Sequence, residues 1–156
     1  MAARQAARAE VVVDASPEEA FEIFTSEIGL WWRRDTPYWN DAERGLSIRI
    51  EPHVGGRFIE VWDLESGTGL EVGRVTAWEP GARLALTWTQ LGWPEGVSTE
   101  IEITFEPGAG GTVVRVEQTG FERVPDAERY LRGYDTGWKE VLGWFSERVH
   151  EKGAER

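Results

Sequence analysis

The segment LRGYDTGWKEVLGWFSERV, residues 131–149, carries the clearest helical pattern in the sequence. Its apolar side chains recur every three or four residues, which places them on one helix face about 100° wide. These side chains are Leu131, Tyr134, Trp138, Val141, Leu142, Phe145 and Val149. Polar residues such as Lys139 and Glu140 fall on the opposite face, and no earlier helical segment is as long. The sequence therefore predicts one long amphipathic helix that buries one face.

The residues before this helix alternate between apolar and polar over short runs separated by Gly and Pro, which is typical of β-strands. The predicted strands cover residues 10–14, 46–51, 57–63, 70–79, 83–88, 98–105 and 112–119. Ser16-Pro17-Glu18-Glu19 is a strong helix start, with Ser16 as N-cap and Pro17 at the first helical position. A second short helix is predicted at 27–32, followed by a polar loop. Because the connections are short, neighbouring strands should pair antiparallel.

The predicted order is one strand, two short helices, six strands and one long helix, which is an α+β fold. A meander of strands followed by one amphipathic helix suggests a curved sheet that grips the helix and encloses a cavity. At 156 residues the chain is most simply one domain, which we place at residues 8–150.

Composition excludes several classes of function. The net charge is −11 and no run of Lys or Arg occurs, which argues against nucleic acid or an anionic membrane as partner. The chain has no cysteine and two histidines, His53 and His150, so we predict neither a metal site nor a cofactor. Because residues 1–10 lack an apolar core of signal-peptide length and no segment could span a membrane, a cytoplasmic location is predicted.

Tryptophan is the compositional outlier, with nine residues. An indole is costly to bury unless its N–H finds an acceptor. Nine in a chain of this size therefore indicate a wide aromatic interior, a large binding surface, or both.

Glu60 is the candidate polar site residue. It alternates with Phe58 and Trp62 on a predicted strand, so it shares their face. If that face lines the cavity, the carboxyl group could act as a general base or bind a polar ligand group. Two alternatives are also compatible with the sequence. Glu60 could face solvent, or it could form a structural ion pair with Arg57 or Arg74.

Further candidates are aromatic. Trp32, Trp62, Trp88 and Trp138 could line a cavity, although each alone is more typical of a core. Tyr134 brings a hydroxyl group to the apolar helix face. Together with Phe58 and Glu60, these residues are the predicted ligand-binding set.

Two helix glycines and two loop tryptophans are further features that could shape or cover a cavity. Gly133 and Gly137 lie four apart on the helix, where they either leave room for a ligand or allow close packing against the short helices. Trp39 and Trp93 lie in loops, where exposed tryptophans suggest a lid or a contact with another protein.

An ordered set of segments resembles a known superfamily. The segments are EPHVGGRFIEVW (51–62), GRVTAWEPGARLALTW (73–88), STEIEITFEP (98–107), GGTVVRVEQTGF (110–121) and GWKEVLGWF (137–145). From Val11 to about Val149 the chain is similar to the START/polyketide-cyclase (SRPBCC) superfamily, in the branch related to the activator of the heat-shock-protein ATPase (AHSA-like). This resemblance implies a helix-grip fold, with a seven-stranded antiparallel sheet wrapped around the C-terminal helix. It also implies a pocket between sheet and helix, often for apolar or aromatic small molecules, and a glutamate at the position of Glu60.

The resemblance does not imply one reaction, and three functions are compatible with the sequence. The leading hypothesis is a protein that binds an apolar or aromatic small molecule in this cavity. The second is a cyclase or hydrolase that uses Glu60 as its base. The third is a protein-interaction module, such as a chaperone cofactor, with another protein as partner.

Overall fold

The order of elements agrees with the sequence prediction. The structure, a computed structural model, describes residues 5–155. In that part the elements are β1 (Ala7–Val13), α1 (Pro17–Ser26), α2 (Ile28–Trp31), β2 (Ser47–Ile50), β3 (Arg57–Val61), β4 (Gly69–Glu79), β5 (Arg83–Trp88), β6 (Thr99–Gly108), β7 (Gly111–Thr119), a 3₁₀ turn (Phe121–Arg123) and α3 (Ala127–Ala154).

The strands form one antiparallel sheet with the order β1-β7-β6-β5-β4-β3-β2. Consecutive strands from β2 to β7 are neighbours, and β1 adds to the far side of β7. The sheet curls around α3, which packs against β1 at one edge and against α1 and α2. The predicted α+β helix-grip fold is therefore confirmed.

Local sequence signals explain where the helices begin. The Ser16 hydroxyl accepts a hydrogen bond from the Glu19 backbone N–H at 3.1 Å, as predicted for an N-cap. Helix α3 starts after Asp126, whose φ of 63° lies in the left-handed region and turns the chain into the helix. It spans 28 residues, longer at both ends than the 131–149 pattern.

The apolar face of α3 differs from the prediction at three positions. Trp138 and Phe145 are buried as expected, but Leu131 and Tyr134 are only half-buried. Trp144, which the pattern omitted, is buried because its ring packs against Trp32, with ring centroids 6.4 Å apart. The half-buried residues lie on the first half of the helix, where Tyr134 faces the cavity described below.

The register of β5 and β6 is as predicted. The inward residues are Leu84, Leu86, Trp88, Thr99, Ile101, Ile103 and Phe105, all of them buried. On the other face Arg83 forms an ion pair with Glu102 at 2.5 Å. In β3, by contrast, the four residues 58–61 are all buried, so neither face of this strand is open to solvent.

An ion-pair cluster ties the short helices to the end of α3. Glu27, between α1 and α2, accepts from Arg148 at 2.8 Å and also pairs with Lys152. Burial alone would raise the pKa of Glu27, but the hydrogen bonds and positive charges of Lys152 and Arg148 outweigh it and lower the pKa. The charged form of Glu27 therefore stabilises the folded state.

Among the described residues, none of the helices combines the length and apolar character needed to cross a bilayer.

Candidate functional site

A cavity lies between the first half of α3, the end of β5 and the loop of residues 33–46, which we call the 33–46 loop. Its volume is about 270 Å³. The lining residues are Trp32, Pro37, Tyr38, Trp39, Asn40, Trp88, Gln90, Arg129, Tyr130, Gly133, Tyr134, Gly137, Trp138 and Val141. Pro37, Arg129 and Gly133 are exposed, which places the mouth of the cavity at these residues.

Helix α3 forms one wall because residues four apart lie above one another on a helix. Tyr130, Tyr134 and Trp138 make one such row, and Gly133 and Gly137 lie in the adjacent row. A Cβ atom at Gly133 would meet nothing within 4 Å, so this glycine leaves open space at the mouth. A Cβ at Gly137 would lie 3.0 Å from the Tyr38 ring, so this glycine admits the 33–46 loop. Both glycines therefore border the cavity, and the close neighbour of Gly137 is a loop residue and not the short helices.

The aromatic walls meet edge to face. Trp88 contacts Trp138 and Tyr134, with ring centroids 6.0 and 6.4 Å apart, and Trp32 contacts Trp138 at 6.3 Å. Such T-shaped contacts between aromatic rings are favourable. Four of the predicted ligand-binding residues, Trp32, Trp88, Tyr134 and Trp138, thus come together at the cavity.

Every indole N–H of the four lining tryptophans is already bonded within the protein. The acceptors are the Tyr38 carbonyl for Trp32 (3.2 Å), the Arg33 carbonyl for Trp39 (2.8 Å), the Tyr134 hydroxyl for Trp88 (2.8 Å) and the Gln118 amide oxygen for Trp138 (2.8 Å). Consequently these rings offer a ligand apolar surface and no free donor.

The hydrogen bond between Tyr134 and Gln90 has a fixed direction. The Trp88 N–H is a donor only, so the Tyr134 oxygen must accept from it. The Tyr134 hydroxyl then donates to Gln90 Oε1 at 2.5 Å. Burial raises the pKa of Tyr134, which keeps this hydroxyl protonated. The Gln90 amide N–H₂ is left as the donor at this end of the cavity.

Glu60 holds the 33–46 loop in place. Its side chain is 2 % exposed and accepts from Asn40 N (2.7 Å), Asn40 Nδ2 (2.8 Å) and Asp41 N (3.0 Å). Asn40 Oδ1 in turn accepts from Leu91 N at 2.9 Å. One buried carboxylate therefore connects β3, the 33–46 loop and the loop after β5, and both of its oxygens are in use.

Neither of the two alternatives for Glu60, exposure to solvent or an ion pair with Arg57 or Arg74, is observed. Glu60 is not exposed to solvent. Arg57 pairs with Glu51 at 2.8 Å and Arg74 pairs with Glu71 at 2.7 Å, so neither arginine is its partner.

Three predicted site residues lie apart from the cavity wall. Glu60 stands behind Asn40, and Phe58 lies behind Trp88, with ring centroids 4.9 Å apart. Trp62 follows the end of β3 and lies under the Arg44 guanidinium group, which is 4.4 Å from its ring centroid. A direct role for these three in ligand binding stays a prediction.

Sequence reasoning missed several lining residues. Tyr130 could have been found, since it lies four residues before Tyr134 on the same helix face. Asn40, Gln90 and Tyr38 carry no pattern that places them, because loops bring them to the site. Trp39 does border the cavity, as a lid residue would. Trp93, expected to be exposed, is 9 % exposed because it packs against Tyr130 and Tyr134.

The chemical character of the site is that of an apolar aromatic cavity with polar groups at its ends. In residues 5–155, no group of three or more His, Asp or Glu side chains could hold a metal ion. A hydrogen bond to Glu140 and, to a smaller extent, burial raise the pKa of Tyr38 to about 12. Tyr38 and Tyr134 therefore both stay neutral at physiological pH.

Comparison with solved structures gives relatives of the same fold. The chain is 30% identical to Txn09, described as an anthrahydroquino-gamma-pyrone synthase; the match covers 94% of this chain and 99% of that one, with a TM-score of 0.60. It is 22% identical to Aha1 from Colwellia psychrerythraea, over 92% of this chain and 95% of that one, with a TM-score of 0.64. It is also 22% identical to MLL2253 from Mesorhizobium loti, over 94% and 97%, with a TM-score of 0.64.

Sequence comparison gives the family. Among curated proteins, none matches this chain significantly. The profile of the family described as Activator of Hsp90 ATPase homolog 1-like protein matches residues 14–149, which is most of the chain. The helix-grip fold agrees with this match, and the resemblance stated from the sequence is confirmed. The chain therefore belongs to the Activator of Hsp90 ATPase homolog 1-like family, within the SRPBCC superfamily.

Proposed function

We propose that this protein binds a small, largely apolar aromatic molecule in the cavity beside α3. The observation that carries the proposal is the lining itself. Half of the lining residues are aromatic, and the indole N–H groups of the four lining tryptophans are all bonded internally. Such a wall stabilises a bound ligand by burying its apolar surface and by edge-to-face ring contacts. The tryptophans contribute no free hydrogen-bond donor to the binding.

The volume limits the size of the ligand. Small-molecule sites commonly measure about 300–1,000 Å³, and about 150 Å³ suffices for benzene. The cavity of about 270 Å³ therefore suits a ring system of two or three fused rings. The relative that is 30% identical is named as an anthrahydroquino-gamma-pyrone synthase, which favours an aromatic ligand here.

Titration of tryptophan fluorescence tests the proposal, with naphthols, anthraquinones, flavonoids and fatty acids as probes and a thermal-shift assay in parallel. Gly133→Leu is the blocking variant, because its side chain would enter open space at the mouth. Gly143→Leu is the matched control on the same helix, since Gly143 is exposed, also has nothing within 4 Å of a Cβ, and does not line the cavity.

We expect an aromatic probe to quench fluorescence and raise the melting temperature in the unmodified protein and in Gly143→Leu. In Gly133→Leu the same probe should bind at least tenfold more weakly, because loss of about 1.4 kcal/mol of contact energy has that effect. If no aromatic probe binds, or if both variants bind equally well, the proposal is wrong.

An enzymatic function is the second candidate, because a relative of 30% identity is named as a synthase. Glu60 is a poor candidate for its base. Both carboxylate oxygens accept N–H groups, and the residue does not line the cavity. A ligand that binds should therefore be recovered and analysed by mass spectrometry, and conversion would favour an enzyme over a carrier.

A protein partner has less support. Large exposed apolar residues occur on separate strands, helices and turns, for example Val12 on β1, Leu30 on α2 and Leu91 after β5, and not together on one element.

The absence of cysteine fits a reducing compartment such as the cytoplasm, which we retain as the proposed location.

A further inference from the structure

The charge of the cavity lining is opposite in sign to that of the whole protein. The chain has 28 acidic and 17 basic residues. Yet the described lining contains no Asp or Glu, and its charged member is Arg129 at the mouth. A carboxylate at the mouth would repel an anionic ligand, whereas an arginine attracts one. The one charged group of the described lining therefore favours an anion at the mouth. The carboxylates of Glu140 and Glu60 bond to the lining residues Tyr38 and Asn40 but are not themselves part of the lining.

The Arg129 guanidinium group is available to a ligand. Its nearest carboxylate is that of Asp126, 3.6 Å away, and both side chains are mostly exposed, at 71% and 61%. An ion pair of this length and exposure is weak. The guanidinium also lies over the Tyr130 ring, 5.3 Å from its centroid, which holds it near the cavity. Its N–H donors can thus bind a carboxylate in the bidentate manner that arginine favours.

A second donor lies deeper along the wall. The direction of the hydrogen bonds from Trp88 through Tyr134 commits Gln90 Oε1 as an acceptor. Among the described residues no hydrogen bond of the Gln90 N–H₂ is found, and Gln90 is one of the residues that line the cavity. A ligand oxygen is the natural partner for this donor.

The two donors are attached to different points along α3, Arg129 directly and Gln90 through its hydrogen bond with Tyr134. Arg129 and Tyr134 are five residues apart on α3, which is about 7.5 Å along the helix axis. The wall between them is formed by aromatic rings and by the space at Gly133.

We propose that the cavity selects aromatic carboxylic acids, with the carboxylate at Arg129, the ring system against the tryptophans, and a carbonyl or hydroxyl oxygen at Gln90. This inference rests on the proposed function, since it names the class of ligand that the same cavity takes. The overall negative charge of the protein does not oppose it, because the attraction at the mouth is local and the long-range field is screened by salt.

The test compares three probes of one shape: 6-hydroxy-2-naphthoate, its neutral amide 6-hydroxy-2-naphthamide, and 2-naphthoate, which lacks the distal oxygen. Dissociation constants are measured by tryptophan fluorescence in the unmodified protein, in Arg129→Gln and in Arg132→Gln. Arg132 is the matched control, because it is an exposed arginine on the same helix that does not line the cavity.

In the unmodified protein the acid should bind about threefold to tenfold more tightly than the amide, as expected for one partly exposed charge-assisted contact. Arg132→Gln should keep this ratio, whereas in Arg129→Gln it should fall to about one. The acid without the distal oxygen should bind about threefold more weakly than the hydroxy acid, because Gln90 then lacks its acceptor.

An acid-to-amide ratio of one in the unmodified protein, or a ratio unchanged in Arg129→Gln, overturns the inference while binding of the amide still supports the proposed function. Equal binding of the two acids overturns the role of Gln90. If none of the three probes binds, the inference is overturned, and the anthraquinone and flavonoid titrations then decide the proposed function separately.

Discussion

Replacing Glu60 by glutamine separates an anchoring role from a catalytic one. The carboxylate accepts three N–H groups, two from Asn40 and one from Asp41. A glutamine has the same shape but one acceptor oxygen, so its N–H₂ would face a backbone N–H. Glu60→Gln should therefore destabilise the fold and loosen the 33–46 loop, whereas a purely catalytic base could be replaced without loss of stability.

The size of the effect follows from the contacts. A hydrogen bond to a charged group contributes about 1.5–3 kcal/mol, and a neutral one about half of that. Loss of one charged bond and weakening of two others predicts a loss of about 3 kcal/mol of unfolding free energy. For a chain of this length that corresponds to a fall of about 6–12 °C in melting temperature. Because Asn40 lines the cavity, the affinity for an aromatic probe should fall as well.

The assay is urea denaturation at pH 7, with Glu95→Gln as the control for loss of one negative charge, since Glu95 is exposed. The control should stay within about 0.5 kcal/mol of the unmodified protein. A Glu60→Gln variant as stable as this control would refute the anchoring role, because the three hydrogen bonds would then contribute nothing.

Two other variants test the core and its electrostatics. Trp138→Ala should lose about 3–5 kcal/mol by urea denaturation, and Trp138→Phe less, because phenylalanine keeps most of the ring and loses the bond to Gln118; an unchanged midpoint in the alanine variant would contradict the buried position. Glu27→Gln should lose about 1–2 kcal/mol at pH 7, because it breaks the pairing with Arg148 and Lys152. The folded-state pKa of Glu27 is lowered, so its contribution is present above the unfolded-state value of about 4.5 and is lost as pH falls through the folded-state value. The stability difference between the two proteins should therefore narrow below pH 4.5, and a difference that is independent of pH would show that Glu27 is not the group involved.

Much of the fold could be predicted because it depends on local patterns. The alternation in β5 and β6 and the N-cap at Ser16 are properties of neighbouring residues, and both predictions are confirmed. The periodicity of residues 131–149 likewise predicted the buried side of α3, including Trp138. It missed Trp144, because that ring is buried by Trp32 from a distant part of the chain.

The site was predictable only where it lies on regular elements. Tyr134 and Trp138 follow from the helix period and Trp88 from the strand period, and all three line the cavity. Asn40 and Gln90 come from loops, whose path depends on contacts with distant residues, such as the hydrogen bond of Asn40 to Glu60 and that of Gln90 to Tyr134.

The sequence predicted the class of fold, the family and an interior rich in aromatic rings, because these follow from periodicity, turn residues and composition. The role of Glu60, by contrast, depends on contacts that exist only in the folded protein. Strand alternation placed its carboxylate on the face of Phe58, but only the folded 33–46 loop supplies the N–H groups that occupy both oxygens. The tertiary structure also decided where the cavity opens, since Arg129 at its mouth and Gln90 on its wall are 39 residues apart in the chain. No local pattern couples residues so far apart, because such contacts form only when the sheet closes around the helix.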